Sequence, residues 1–478
     1  MQDFTFTPSD NRWLKNRGYL HVTEKINVKL RENEIYSKIQ NPEFVKKHAF
    51  FPLIHATIKE RKYKKDNSGG RFHVHKIVAE NKTITYKPTA KNRPLHYATH
   101  IDALIFSYYS TWLSDLYEAK LRSIDGLCES VIAYRKIHQS EKILKGKSNI
   151  NFAKEAFSEI EKRSKDGCTV LMFDIESFFS RLNHNKLKEA WASLINQTKI
   201  DGSIWNTLPA DHYNVFKACT KFNYILRDDL RLKNEFYGKR NGFDEKKLAA
   251  IRKEHGKESF FANPKELREA IKSKTLKVYG KQFVYKGIQV GIPQGLPISA
   301  VLANLYLLEF DKEILKEIVS SKFGGYYRRY SDDILIICKP ENEEEIKQLV
   351  RSKIEDSMLT ISEHKTESFL FKEGEILTGK RLTYLGFEYD GKNILVKSAN
   401  LAKFYRRMIL AVRNKAKRGQ KISEIDGSKP VIFKSRLVKL YKRADLDAER
   451  EKPFKLKRLV KSIDGSFYYK IKTFNPNE

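Results

Sequence analysis

The stretch RRYSDDILIIC, Arg328 to Cys338, sets two adjacent carboxylates, Asp332 and Asp333, between an aromatic, basic run and an apolar, β-prone one. Two carboxylates about 4 Å apart repel by roughly 4 kcal/mol at an effective dielectric of 20, a cost that a bound cation removes. A solvated acidic turn is the ordinary reading of such a dipeptide. A third carboxylate in an unusual place argues for a site. Asp174 closes the apolar run of LMFDIESFF, so it stands at the end of a buried strand, where a charge needs a partner. If that strand lies beside the Ser-Asp-Asp turn, Asp174, Asp332 and Asp333 converge. Three oxygen donors of this kind suit Mg2+. Paired ions about 3.5–4 Å apart suit in-line phosphoryl transfer, in which a 3′-hydroxyl attacks and pyrophosphate leaves.

The elements that must position these groups are read from periodicity. Tyr326 to Tyr330 and Ile334 to Cys338 are predicted as two short strands with Ser-Asp-Asp as their turn. TVLMFDI, Thr169 to Ile175, is a continuous apolar run and reads as a buried strand. HNKLKEAWASLI after it reads as a helix capped by Asn183 or Asn185. In GIPQGLPISAVLANLYL, Pro293 and Pro297 bracket Gln294-Gly295, a stiff turn with an approachable backbone just before a helix. LPISAVLANLYLLEFDKEIL is predicted as one long, largely buried helix, and Ile346, Leu349, Val350 and Ile354 give the apolar face of another. Strand, helix, helix, hairpin and helix in that order predict an α+β sheet with helices on one side.

Outside this region, residues to about 50 look helical and charged, and KERKYKKDNSGGRFHVHK reads as a hairpin turning at Gly69-Gly70. His73 and His75 share one strand face but have no third metal ligand near. Residues 201–284 are charged, mostly helical in pattern, and look inserted. FYRRMILAVRNKAKRG reads as a basic amphipathic helix ending at Gly419.

The 478 residues carry 91 Lys and Arg against 59 Asp and Glu, a net charge of +32, with 41% hydrophobic residues. That is a globular chain with a polyanionic partner, nucleic acid first. An anionic membrane is the competitor, but no apolar stretch approaches the ~20 residues of a span. MQDFTFTPSDNRW does not resemble a signal peptide, so a cytoplasmic location is expected. Four scattered cysteines without a C-x-x-C pair support neither a disulfide framework nor a zinc ribbon.

Together these stretches resemble reverse transcriptases. FDIESFF is similar to the first palm motif of that family, GIPQGLPIS to the second, YSDD to the Tyr-x-Asp-Asp box, and SEHKTE to the fourth. KNRPLHYATHIDALI and AYRKI are similar to the fingers motifs, and YLGFEYDG to the primer-gripping hairpin. The resemblance implies a right-hand polymerase with fingers, a ferredoxin-like palm and a helical thumb. It divides the chain into an N-terminal helical extension (1–50), fingers (51–165), a first palm segment (166–200), the charged insertion (201–284), a second palm segment (285–395) and a basic helical thumb with C-terminal tail (396–478). It implies two Mg2+ ions, with Mn2+ as a substitute, on Asp174, Asp332, Asp333 and the Ile175 carbonyl. Arg93, with Lys91 near, would clamp the triphosphate, and Arg135 would lie above the nucleotide. Gln294 would orient template and nucleotide, Lys365 would protonate pyrophosphate, and Leu385 and Gly386 would grip the primer end. Phe179, five residues after Asp174, stands where related RNA polymerases have an aspartate for the ribose 2′-hydroxyl; an aromatic ring there argues for deoxynucleotides.

The long stretch between Asp174 and Gly291, with ESVIAYRKI and HYATHIDALIFSYY, resembles bacterial defence-associated reverse transcriptases, which implies a noncoding RNA template, a DNA product and a role against phage. A retron-like or intron-derived polymerase, and an inert RNA-binding scaffold, stand as alternatives, and oligomeric state is left open. No nuclease segment is recognised, so Tyr468 and Tyr469 are candidate priming hydroxyls, with packing or stacking on RNA as their ordinary role.

Overall fold

A computed structural model describes residues 11–60, 91–139, 146–195, 207–232, 242–280, 283–321 and 323–427, and between 61 and 90 only the backbone of four short strands. The residues divide into two compact units. One comprises Met1–Tyr134, Phe173–Ile334 and Ile346–Thr366, the other Arg135–Met172, Leu335–Glu345 and Glu367–Glu478. Among the described residues no helix is long and apolar enough to cross a membrane.

The first unit is built on the helix His100–Arg122, whose N-terminus is capped by the Thr99 hydroxyl accepting from the Asp102 N–H. Leu104, Ile105, Phe106, Tyr109, Leu113, Tyr117 and Leu121 are buried around it. Burial on every side marks a helix inside a core rather than on its surface. Ahead of it, strand Leu53–Glu60 pairs antiparallel with Lys91–Tyr97 and parallel with Asn223–Leu226, which pairs in turn with Tyr279–Gly280. Val22, Ile54, Ile225, Leu248, Phe260, Phe261, Leu267 and Leu276 form one apolar cluster. The described residues between 207 and 280 therefore contribute strands and core side chains to this unit, along with the helices Ala210–Thr220, Glu245–His255 and Pro264–Lys272. Up to residue 50, α-helix occupies only Glu32–Gln40 and Pro42–Lys47 of the described residues.

A five-stranded sheet has the order Tyr326–Tyr330, Asp333–Cys338, Cys168–Asp174, Glu367–Lys372, Glu375–Ile376. Cys168 to Leu171, like Ile334 to Cys338, are buried on consecutive positions, the pattern of strands covered on both faces. Asn183, and not Asn185, caps the helix His184–Leu194, accepting from the N–H groups of Asn185 and Lys186.

Two helices differ from the sequence expectation. The single helix predicted from Leu296 to Leu315 is broken at Leu307 into Ser299–Tyr306 and Leu308–Leu315, followed by a π-helical turn, Lys316–Ser321. At the break the Leu307 N–H reaches back only three residues, to the Asn304 carbonyl at 3.2 Å. The break lies between Asn304 and Asp311, whose side chains both bond Arg329. In the second unit the basic helix does not end at Gly419; it runs from Ser398 to Asp426. One interior glycine costs a helix only about 1 kcal/mol, and the end comes where Gly427 takes a left-handed φ of 66°.

The second unit also contains the helix Asn149–Arg163 and a three-stranded sheet, Leu382–Tyr384, Phe387–Tyr389 and Ile394–Val396. Phe157 of the helix stacks on Tyr389 with ring centroids 4.8 Å apart. The paired strands Lys64–Lys65 and Arg71–Phe72 flank the Gly69-Gly70 turn, but the turn itself and the side chains of His73 and His75 lie outside the described residues.

Candidate active site

Asp174 is the last residue of Cys168–Asp174 and Asp333 the first of Asp333–Cys338. The Ile175 N–H donates to the Asp332 carbonyl at 3.0 Å, and the Ser362 N–H donates to the Asp174 carbonyl at 2.8 Å. Asp174, Asp332 and Asp333 are thereby brought together in the first unit, and Lys365 with them, its Nζ 2.5 Å from Asp174 Oδ2.

The electrostatics show the cost of this arrangement. Burial raises the Asp333 carboxyl, Asp332 and Asp174 raise it further, and it is pushed up to about 7 despite Lys365 and Lys91. Asp332 is raised as well, chiefly by burial, against a hydrogen bond from its own backbone; Asp174 adds to the rise, while a hydrogen bond from the Ser331 hydroxyl and the Lys91 charge oppose it.

Two glycines explain how the next parts of the site come close. Ser177, at φ 52°, turns the chain out of the strand into the single helical turn Phe178–Arg181. Phe178 is buried; the Phe179 ring is partly exposed and meets it edge-on at 5.6 Å. The Phe179 carbonyl accepts from the Ile292 N–H at 2.8 Å and the Leu182 carbonyl from the Gly291 N–H at 2.7 Å. At Gly291, with φ 80°, a Cβ would stand 2.5 Å from the Ser180 carbonyl oxygen. On the other side of the turn the His96 N–H donates to the Gln294 carbonyl at 2.7 Å. A Cβ on Gly295, at φ 109°, would stand 2.5 Å from the His96 carbonyl oxygen. Side chains at either position would force the three backbones apart.

Strand Lys91–Tyr97 is thus fixed to the turn that carries Gln294. By strand alternation Lys91 and Arg93 share a face. Lys91 acts on both Asp332 and Asp333, whereas the Arg93 guanidinium lies 3.6 Å from Glu60. Arg135, Leu385 and Gly386 belong to the second unit. Leu385 (φ 47°) and Gly386 (φ 92°) form the two-residue turn between Leu382–Tyr384 and Phe387–Tyr389, the backbone that a tight hairpin requires. Tyr468 and Tyr469 lie outside the described residues.

Residues 242–389 match the family model described as reverse transcriptase (RNA-dependent DNA polymerase). The chain carries a reverse transcriptase domain. The match takes in the Gly291–Gly295 turn, the Asp332-Asp333 pair, Lys365 and the Leu385-Gly386 hairpin, and it begins within the 201–284 stretch. A reverse transcriptase domain implies a right-hand polymerase fold, with which the mixture of helices and sheets is consistent. No curated protein matches the chain. Among solved structures it is similar to apo telomerase from Candida Tropicalis truncated from its C-terminal domain, at 12% identity over 68% of this chain and 56% of that one, with a TM-score of 0.38. It is also similar to telomerase from Candida albicans in complex with a TWJ fragment of telomeric RNA, at 12% identity over 80% and 54%, with a TM-score of 0.36. The chain spans about half the length of the solved chains it matches.

Reverse transcriptase domains generally use divalent metal ions. Among the described residues no group of three or more His, Cys, Asp or Glu side chains is already spaced to hold one, and the Asp174 carboxylate is engaged by Lys365. The donor chemistry fits such ions. All three side chains offer hard oxygen ligands, and Asp333 is raised to about 7 by burial and two like charges, which an added cation would relieve.

Sequence reasoning missed the groups that hold the acidic turn of the reverse transcriptase domain. Arg329 is fully buried, its Nε 2.7 Å and Nη2 2.5 Å from the carboxylate oxygens of Asp311, which is equally buried. Its Nη1 donates to the Ser331 carbonyl at 3.1 Å, and the Tyr327 hydroxyl donates to Asp311 at 2.5 Å. The signal was present: Tyr327 and Arg329 alternate onto one face of the predicted strand Tyr326–Tyr330, and Asp311 falls in the helix predicted as largely buried.

Proposed function

We propose that the protein is an RNA-directed DNA polymerase that extends a 3′-hydroxyl with deoxynucleotides on an RNA template. The observation that carries this reading is the hydrogen bond from the Ile175 N–H to the Asp332 carbonyl, which brings the carboxylates of two separate sequence segments to one place. When bound there by Asp174, Asp332 and Asp333, two divalent cations would activate the attacking hydroxyl and neutralise the leaving pyrophosphate. Lys91, on the strand fixed to the Gln294 turn, supplies positive charge for a triphosphate, and Lys365 is placed to give a proton to the leaving group. The Phe178–Arg181 turn and the Gly291–Gly295 turn, bonded backbone to backbone, carry the ring and the amide that face the sugar and base. Fingers, palm and thumb are assigned as the sequence motifs imply. Primer extension on an RNA template with Mg2+ and dNTPs tests the activity; a protein that folds but gives no product would leave the inert scaffold.

Phe179→Ala is expected to raise the use of ribonucleotides relative to deoxynucleotides by about tenfold or more, because the ring fills the space of a 2′-hydroxyl and steric exclusion of this kind is worth a few kcal/mol. Single-nucleotide incorporation with rNTP and dNTP in parallel measures the ratio. An unchanged ratio moves the gate to another residue.

The net charge of +32 supports a structured RNA as template, and the resemblance supports a noncoding RNA and a cytoplasmic role against phage. RNA affinity is expected to fall steeply with salt, with a log–log slope of about 0.7–0.9 per phosphate neutralised. Gel shifts from low to moderate salt measure it. Phage plating on cells expressing the wild type or Asp332→Asn tests the defence role, which fails if both protect equally or neither protects.

A further inference from the structure

Ser331, between Tyr330 and Asp332, is buried and has a φ of 60°. A residue with a Cβ occupies this left-handed region only at a cost, so something must hold it there. Tyr134, 197 residues away in sequence, also has a positive φ, 63°, and its hydroxyl lies 3.0 Å from Ser331 Oγ. Core packing does not account for the tyrosine, since 54% of it is exposed.

The backbones on both sides of this contact are fixed by the same buried arginine. The Ile132 N–H donates to the Arg329 carbonyl at 3.1 Å, and Asn304 Nδ2 donates to the Ala133 carbonyl at 2.9 Å. Arg329 Nη1 reaches Asn304 Oδ1 at 3.4 Å and the Ser331 carbonyl at 3.1 Å. Two separate chain segments are thus held so that two hydroxyls meet beside the acidic pair.

Asp332 follows Ser331 directly in the chain, so the conformation of Ser331 sets where the Asp332 side chain lies. We propose that Tyr134 and Ser331 are positioning residues for Asp332: the hydrogen bond between their two hydroxyls holds Ser331 in its left-handed conformation and so keeps the Asp332 carboxylate placed for metal binding. This rests on the reading of Asp332 as a metal ligand.

The test compares Tyr134→Phe, Ser331→Ala, Ser331→Gly and the Tyr134→Phe, Ser331→Ala double variant with the wild type and Asp332→Asn. Ser331→Gly removes the hydroxyl while relieving the positive φ, so it covers the case in which Ser331→Ala does not fold. Each variant is expected to lower kcat by roughly tenfold or more, the scale of one hydrogen bond, with KM for dNTP within about twofold. The double variant is expected to be no worse than the worse single one, because both hydroxyls act in one contact. Binding of Mn2+ alone to the nucleic-acid-free protein, followed by spin resonance or calorimetry, is expected to weaken in all of them. A purely structural role would instead lower the unfolding midpoint and leave Mn2+ affinity unchanged. Wild-type kcat and Mn2+ affinity in Tyr134→Phe, beside an inactive Asp332→Asn, overturn the positioning role alone. An active Asp332→Asn overturns the positioning role and the metal assignment together.

Discussion

Replacing Asp332 with asparagine is expected to abolish primer extension while leaving the protein folded. The substitution keeps the shape of the side chain, so it opens no cavity, and it removes one member of a crowded acidic group, so it does not lower stability by unpairing a charge. What it removes is a hard, negative ligand beside Asp174 and Asp333. Metal ions in such sites contribute several kcal/mol to the transition state, so the rate should fall by about a thousandfold or more. Primer extension with Mg2+ and thermal unfolding of the same preparation are the measurements. A variant that extends at the wild-type rate would show that Asp332 holds no metal.

Asp311→Ala is expected to lower stability more than any of the substitutions named above. Arg329 and Asp311 are both fully buried, and the pair is bidentate. Deleting the carboxylate leaves a fully buried guanidinium that cannot lose its proton and has lost its counter-charge. Breaking a buried pair in this way costs about 3–5 kcal/mol, a large share of the roughly 5–15 kcal/mol that holds a domain together. The Tyr327 hydroxyl loses its acceptor at the same time. Urea unfolding gives the number, and a midpoint equal to that of the wild type would show that the pair is not buried in solution. The double change Asp311→Leu, Arg329→Met should recover much of the stability, since apolar groups of similar size replace such pairs well. It should not recover polymerisation, because the Arg329 contact to the Ser331 carbonyl is gone.

What could be read from the sequence, and what could not, follows from the range of the forces involved. Strands buried on both faces write themselves as unbroken apolar runs, so Cys168–Asp174 and Asp333–Cys338 were visible within a residue. A charge at the end of such a run is conspicuous, and Asp174 was found that way. The break at Leu307 was not visible, because a hydrogen bond that shifts from four residues to three leaves the apolar pattern unchanged. Glycine at 419 looked like a stop and is not one, since a glycine ends a helix only where the backbone takes a left-handed turn, as at Gly427. The glycines at 291 and 295 could be read as a turn, but their reason is the approach of Ser180 and His96, which no local pattern records. Tyr134 falls in the AYRKI stretch, but its contact with the acidic turn could not be read there, because Ser331 lies 197 residues further along the chain.

The ion pair between Asp174 and Lys365 joins positions 191 residues apart. At a synthesis rate of about 5–20 residues per second, the aspartate leaves the ribosome roughly 10–40 s before its lysine exists. Throughout that interval the apolar strand that ends at Asp174 has neither of the neighbours that flank it in the finished sheet, since both Asp333–Cys338 and Glu367–Lys372 are made later. An uncovered strand of that composition is a template for association with other chains. The site around Asp174 therefore cannot form until the chain has been made past Lys365, and throughout that interval the apolar strand stands without the two strands that flank it in the finished sheet.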